Sequence, residues 1–405
     1  MTMRSSLANS GNRKKILSPR GKVTMSRTPY TYFAYQEEYD EAIRSACAEP
    51  YDTIGPTMLD LEERLAKLCG KKYAIVTTSC TMAMFLSLRA VNYLNGFKNN
   101  NILIQNYTYT AVPEQCMNAG FNVYFNDIEY ETSNIELVNE WDIDFDYMLV
   151  TGLYGNTIDY DELQKFKETY NIKYVIDDAA QSFPANWDGK PACSFADISC
   201  LSFESRKCLT TPFSQGGAVV TDDEELYNYI SSMRAHGSTE KGSDDFSNIF
   251  TSTSKTFIGG INGFIALQNC AALSVSLNHL EEEIIKRNQI AETYKSEFKD
   301  LPITYTKILE KTSPVYCKFQ MFVENREIKE ALHAHICAQD VLISLGAPPK
   351  PLSKYDYSYN DVDFYSYKDE NAQRVCDTCI NLPIHPMLTD EQVEHVIKSV
   401  RGYFG

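Results

Sequence analysis

Two rhythms of apolar residues alternate along this chain. In PTMLDLEERLAKLCG, at 56–70, Met58, Leu59, Leu61, Leu65 and Leu68 recur at the spacing of one helix face, and Gly70 supplies a C-terminal stop. Short apolar runs follow at 73–77, 102–105, 123–125, 147–151 and 174–176, with helical periods between several of them, the clearest at 82–93. Runs of this length suit strands buried on both faces. Strand and helix in alternation predict a mostly parallel, doubly wound α/β sheet sandwiched by helices. The rhythm changes after about residue 275. Residues 277–298 read as one long, charge-rich helix. The remainder mixes short strands with helices at 328–337 and 390–403, which predicts a smaller α+β unit. Pro348, Pro349 and Pro351, followed by a Tyr/Asp-rich run at 355–367, predict a long irregular loop within it. The expected division is a tail at 1–28, a large α/β domain at 29–275, and a linking helix with a small C-terminal domain at 276–405.

Composition narrows the class. The chain has 405 residues, 43% of them hydrophobic, ample for a large core. Its net charge of -16 makes nucleic acid an improbable main partner. No stretch is apolar for long enough to span a bilayer. The 12 cysteines are scattered through strand-like and helix-like segments, which predicts reduced, mostly buried thiols in a cytoplasmic enzyme. The first 28 residues carry Arg4, Arg13, Lys14, Lys15, Arg20, Lys22 and Arg27 and no acid. An organelle transit peptide has such a composition, but no amphipathic period is visible. A disordered basic tail, or residues upstream of a start at Met25, is the simpler reading.

The chemistry concentrates at 174–220, YVIDDAAQSFPANWDGKPACSFADISCLSFESRKCLTTPFSQGGAVV. One apolar run ends in Asp177 and Asp178, with Gln181 just beyond. A second ends in Ser202, followed by Lys207, and a Gly-Gly turn precedes a third. Carboxylates and a lysine placed just after strands suit pyridoxal 5'-phosphate (PLP). A lysine amine can hold the cofactor aldehyde as a Schiff base, and a carboxylate can keep the pyridine nitrogen protonated. The turn Ser79-Cys80-Thr81-Met82, between a strand and a helix, can either receive a phosphate or simply cap the helix. Asp177 and Asp178 could also serve as a metal pair, but no histidine or third carboxylate stands near them, and no metal is expected. Cys376 and Cys379 form a CxxC without a second pair, so buried structural thiols are preferred to zinc or redox chemistry.

DDAAQSFPANWDGKPACSFADISCLSFESRKCL, followed by QGGAVVTDDEEL, resembles the core of the DegT/StrS-type aminotransferases. These are fold-type-I PLP enzymes with a large domain built on a seven-stranded type of sheet and a smaller α+β domain. Most aminate keto-sugars carried on nucleotides. The resemblance covers nearly the whole body, from IGPTMLDLEERLAKLCGKKYAIVTTSCTMAM through NYTYTAVPEQCMNAGFNVYFNDIE, LYGN and GGINGFIALQNCAALSVSLNHLEEEIIKRNQIA to NLPIHPMLTDEQVEHVI. It implies that Lys207 holds the cofactor and moves the proton. It implies further that Asp178 pairs with the pyridine nitrogen, Gln181 lies near the phenolic oxygen, and Tyr109 stacks on the ring. Thr81 and Met82, through backbone N–H groups, and Ser202 would hold the phosphate. Asn262 would reach a phosphate across a subunit boundary, which implies a homodimer with shared sites.

The chain departs from the family pattern at several points. Phe264 stands where the family has an arginine, so PLP is expected to be held more weakly unless another group compensates, and Phe264→Arg to tighten it if the side chain fits. Cys208 replaces an asparagine, Cys80 a glycine, and the loop after Lys207 is about one residue longer. The region after Pro348 lacks a histidine-containing loop. Lysine at 207 argues against the dehydratase branch, which has histidine there. The reading adopted is an aminotransferase that acts on a nucleotide-linked 3- or 4-keto-6-deoxyhexose, with glutamate as donor. Its rivals are amination of a cyclitol or other non-nucleotide ketone, and a PLP-binding regulator or scaffold without turnover.

Overall fold

The apolar runs form the strands of one sheet. In chain order these are β1 (Tyr73–Thr77), β2 (Asn101–Gln105), β3 (Asn122–Asn126), β4 (Tyr147–Thr151) and β5 (Tyr174–Asp178). Two-residue strands β6 (Asn186–Trp187) and β7 (Lys190–Pro191) follow, then β8 (Ile198–Ser202) and β9 (Gly217–Thr221). The C-terminal part adds β10 (Thr304–Tyr305), β11 (Thr312–Ser313), β12 (Phe319–Phe322), β13 (Phe364–Ser366) and β14 (Cys379–Leu382). This is a computed structural model, and it describes residues 28–29, 31–32, 34–50, 54–137, 141–237, 259–346, 348–357 and 363–405. All but the last residue of the expected basic tail lies outside the described residues.

The main sheet runs β1-β9-β8-β5-β4-β2-β3-β13. Strands from β8 to β13 pair in parallel, while β9 is antiparallel to both its neighbours. Burial on both faces explains the unbroken apolar runs: all five residues of β4 are buried. Successive side chains enter different cores. Ile75 and Val219 face a core closed by α3 (Cys80–Leu94), α4 (Ala111–Asn118) and α6 (Glu224–Arg234). Ala74, Val76, Ala218 and Val220 face another, with Met58, Leu61 and Leu65 of α2 (Pro56–Leu68). Met148 and Val150 meet Tyr160, Leu163 and Phe166 of α5 (Tyr160–Thr169) in a third. The N-terminal helix α1 (Gln36–Ala46) lies against the early turns of the long helix α7 (Leu267–Glu297).

That long helix starts ten residues before the expected 277–298. Two of its early turns, from Asn269 to Ser276, are buried nearly all round, so no polar stripe marks them in the sequence. Its 31 residues span about 46 Å at 1.5 Å per residue. Cys270, Leu273 and Leu280 pack beneath the main sheet. Ile290, Ala291 and Tyr294 pack in a separate core with β12, β14, α8 (Arg326–Ala338) and α10 (Asp390–Phe404).

Residues 358–362 of the run read as an irregular loop lie outside the described residues, and 363–367 gain order from a distant edge. Phe364–Ser366 pairs in parallel with β3 and makes the sheet eight strands wide, one more than the seven-stranded type expected. The three residues are exposed and show no strand pattern of their own. Backbone bonds to β3 order them, Val123 N–H to Asp363 O at 2.8 Å and Tyr367 N–H to Phe125 O at 3.1 Å. A stack of Tyr124 on Tyr365, with centroids 4.7 Å apart, adds to this. The CxxC straddles two elements: Cys376 lies in α9 (Glu370–Thr378) and Cys379 opens β14. All 12 cysteines are free, and only Cys47 and Cys337 are not buried.

Candidate active site

Five strand ends converge on one edge of the sheet. Register pairs Thr151 with Asp178, Asp178 with Cys200, and Gly217 with both Ser202 and Thr77. Ligands of open α/β sheets bind outside the carboxyl ends of parallel strands. A cavity of about 450 Å³ lies here. Its wall includes Ser79, Thr81, Tyr109, Asp178, Gln181, Ser202, Arg206, Lys207 and Lys318. A larger groove of about 1100 Å³ at Glu129, Tyr130, Thr304 and Arg374 brings together no such set of groups.

Strand alternation separates the two aspartates. Asp177 points away from the cavity, where its Oδ2 accepts from the Tyr160 hydroxyl at 3.1 Å and from Ser199 Oγ at 3.5 Å. Burial, aided by the charge of Asp178, pushes its carboxyl up to about 7. Asp178 lines the cavity, where its Oδ1 accepts from Ala180 N–H at 3.2 Å and from Cys80 Sγ at 3.7 Å. Its Oδ2 accepts from Thr151 Oγ1 at 3.5 Å. Burial raises Asp178 too, and the Lys207 ammonium opposes that shift.

Lys207 follows β8 by five residues, in a turn closed by its own N–H on Glu204 O at 2.9 Å. Arg287 of α7 holds that turn, its Nη1 donating to Ile384 O at 3.0 Å and its Nη2 to Lys207 O at 3.4 Å. Nothing local in the sequence singles out Arg287. It lies in a charge-rich helix, and its partners are set by how that helix crosses the C-terminal segment. The same holds for Lys318, which enters the cavity from the residue before β12.

The hydroxyl-rich turn does both things read from it. Ser79 caps α3, its Oγ accepting from Met82 N–H at 3.1 Å, while Ser79, Cys80 and Thr81 also line the cavity. The Met82 amide is thus engaged within the turn. Gly217 lets β9 approach this turn, because a Cβ there would lie 2.4 Å from Cys80 N. Tyr109 stands at the cavity with 58% of its surface exposed, and Gln181 Oε1 accepts from Tyr154 N–H at 3.3 Å. Asn262 is exposed, pairs with Ala235 in an isolated bridge, and is not among the residues lining this cavity. His385 is engaged elsewhere, its Nε2–H donating to Pro29 O at 3.1 Å.

Phe264 packs at the edge of the α2/α7 core, its ring 5.0 Å from the Arg234 guanidinium. Arg234 is buried, pairs with Glu62 at 2.6 Å and donates to Val76 O at 2.8 Å. An arginine at 264 would place a second guanidinium beside one whose single carboxylate is already used. Phe264→Arg is therefore expected to lower stability by on the order of 1–3 kcal/mol, read as a lower urea midpoint, and not to tighten PLP. A tighter cofactor at unchanged stability would show that the side chain reaches the cavity instead.

The sequence signature of the DegT/DnrJ/EryC1/StrS aminotransferase family matches residues 34–401. The chain belongs to this family. Aminotransferases of this family depend on PLP, and the chain is such an aminotransferase. A UDP-2-acetamido-2-deoxy-3-oxo-D-glucuronate aminotransferase of Pseudomonas aeruginosa is 27% identical over 90% of this chain and 96% of that protein. A dTDP-3-amino-3,6-dideoxy-alpha-D-galactopyranose transaminase of Aneurinibacillus thermoaerophilus is 26% identical over 91% and 96%. The fold matches the solved structure of an E. coli GDP-4-keto-6-deoxy-D-mannose-3-dehydratase with bound hydrated PLP at a TM-score of 0.82. Identity there is 21%, over 92% of this chain and 98% of that one. The expected fold, a large mostly parallel sheet of the fold-type-I PLP enzymes, is thus borne out. Among the described residues, no helix is long and apolar enough to cross a membrane.

Proposed function

We propose that this DegT-family enzyme transfers an amino group from glutamate to a nucleotide-linked 3- or 4-keto-6-deoxyhexose, with PLP held through Lys207. One observation carries the reading: Lys207 and Asp178, from different strand ends, line one cavity together with a hydroxyl-rich helix N-terminus. The donor set fits the cofactor. Asp178 offers a buried carboxylate for a protonated ring nitrogen. Thr81 and Ser202 offer hydroxyls, and the start of α3 offers a positive helix end, for a phosphate. Tyr109 offers an exposed ring face and Gln181 an amide. Met82 contributes by holding the Ser79 turn in shape. The names of the two relatives, a 3-oxo sugar and a 3-amino sugar on nucleotides, support the substrate class.

When bound, PLP supplies an electron sink for the carbanion formed at the substrate carbon. The protein's part is positional and electrostatic. Lys207 Nζ takes the proton from the donor α-carbon and returns one to the sugar carbon. Arg287 steadies the backbone that carries Lys207. The Asp178 charge, shielded from water, favours the protonated ring. Residues 29–275 provide most of this wall, and Lys318 enters it from 276–405. Asn262, exposed and outside its own cavity, is available to a second copy, and we read the working unit as a homodimer with shared sites. The reduced thiols suit a cytoplasmic enzyme.

The test is a screen of PLP-loaded protein with glutamate against UDP-, dTDP- and GDP-linked keto-sugars and against cyclitol ketones, with product read by mass spectrometry and molar mass by light scattering. Amine transfer to a nucleotide-linked ketone at a dimeric mass is the expected result. Transfer only to cyclitols would overturn the substrate class, and a fully active monomer would overturn the shared site.

A further inference from the structure

The cavity holds more positive charge than the roles above use. Arg206, Lys207 and Lys318 line it, against Asp178 and Glu204. Arg206 is matched in place, its Nε donating to the two Glu204 oxygens at 3.0 and 3.1 Å. Asp178 is committed to the ring nitrogen and Lys207 to the covalent link. Lys318 is left over. Its Nζ lies 5.8 Å from the centre of the Tyr154 ring, a weak contact for a cation drawn out of water. The groups that act on it most are Lys207, Cys317, Arg206 and Cys379, and no carboxylate is among them. Burial, with Lys207 and Arg206 nearby, lowers its ammonium to about 8, so it is still largely charged at neutral pH. The backbone on either side is pinned: Cys317 Sγ donates to Arg206 O at 3.3 Å, and Phe319 is buried in the C-terminal core. The two thiols favour its charge, but among the described residues no carboxylate pairs with it. A cation so fixed at a cavity wall is poised for an anion from outside.

We propose that Lys318 is a substrate-recognition residue that pairs with a carboxylate of the molecule entering this cavity, either the amino-acid donor or a uronic acid sugar. This rests on the aminotransferase reading; a uronic acid, with its C6 carboxylate, would take the place of the 6-deoxyhexose proposed above. A donor carboxylate is one bond from the carbon that reacts at Lys207, so it must bind within this wall. The nucleotide lies several bonds from the reacting keto carbon. The cofactor phosphate is assigned to the hydroxyls and helix end at the turn Ser79–Thr81.

Calorimetry on PLP-loaded wild type, Lys318→Met, Lys318→Gln and Lys318→Arg tests it, with glutarate, UDP-glucuronate and UDP-glucose as probes. In the two neutral variants glutarate affinity is expected to fall about tenfold or more, as for loss of a charge-assisted contact. Lys318→Arg should stay within roughly threefold of wild type, since it keeps the charge. UDP-glucose binding and the amount of PLP trapped by borohydride should be unchanged in every variant. A loss confined to UDP-glucuronate would place the carboxylate on the sugar. Wild-type affinity for both carboxylates in the neutral variants would overturn the proposal. So would equal losses for UDP-glucose and UDP-glucuronate, which would assign Lys318 to the nucleotide. Failure of the parent reading shows separately, as wild-type protein that traps no PLP.

Discussion

Lys207→Ala is expected to lose the covalent hold on PLP and essentially all turnover while remaining folded. The side chain lines the cavity, and its backbone, held by Glu204 O and Arg287, does not depend on the ammonium. Removal of the base alone costs roughly 10²–10⁴-fold in a proton transfer, and loss of the covalent link adds to this. The direct check is borohydride reduction of wild type and variant after addition of PLP, followed by mass spectrometry of the peptide that carries residue 207. Wild type should show the reduced adduct on that peptide and the variant none. An adduct on another lysine, or a variant that transaminates at the wild-type rate, would remove Lys207 from its role.

The adjacent aspartates should part ways. Asp178→Asn keeps size but removes the charge facing the ring nitrogen, and a rate loss on the order of 10³-fold is expected, comparable to loss of other preorganised electrostatic contacts. Asp177→Asn should lose far less, because Asp177 faces Tyr160 and Ser199 behind the strand. Its effect should appear in stability instead. In the unfolded chain this carboxyl ionises near pH 3.9, whereas the fold keeps it protonated up to about 7. Between these values the native state binds the extra proton, so the group's contribution to stability declines as pH rises and levels off above about 7. The asparagine variant has no such proton. Its urea midpoint relative to wild type should therefore rise between pH 5 and pH 8. Equal rate losses at both positions would mean that the register of β5 is not as described, and a pH-independent difference in midpoint would mean that Asp177 is ionised in the fold.

Much of this was legible in the chain itself. The parallel strands were readable because a strand buried on both faces must be apolar at consecutive positions, a constraint local to five residues. Asp178 and Ser202 stood out because they end such runs, with Lys207 five residues beyond the second, and the end of a parallel strand is where a ligand can approach. The hydroxyl-rich turn was visible for the same reason, although only the structure shows Ser79 capping Met82 while Thr81 faces the cavity. Other features have no local signal. The eighth strand, Phe364–Ser366, has no strand pattern and exists because the edge of β3 offers unpaired backbone groups. The early turns of α7 lack a polar stripe because both sheet and helices cover them. Arg287 touches the Lys207 backbone across 80 positions, and Lys318 reaches the cavity from the C-terminal part. Phe264 proved to be the partner of a buried arginine. Sequence alone thus determined the strands buried on both faces, the family and the residues at strand ends, since periodic burial and helix capping act between near neighbours. Only the tertiary structure decided which distant charges meet, because a lone lysine or arginine in a sequence looks the same whether it ends in solvent or against a cavity wall.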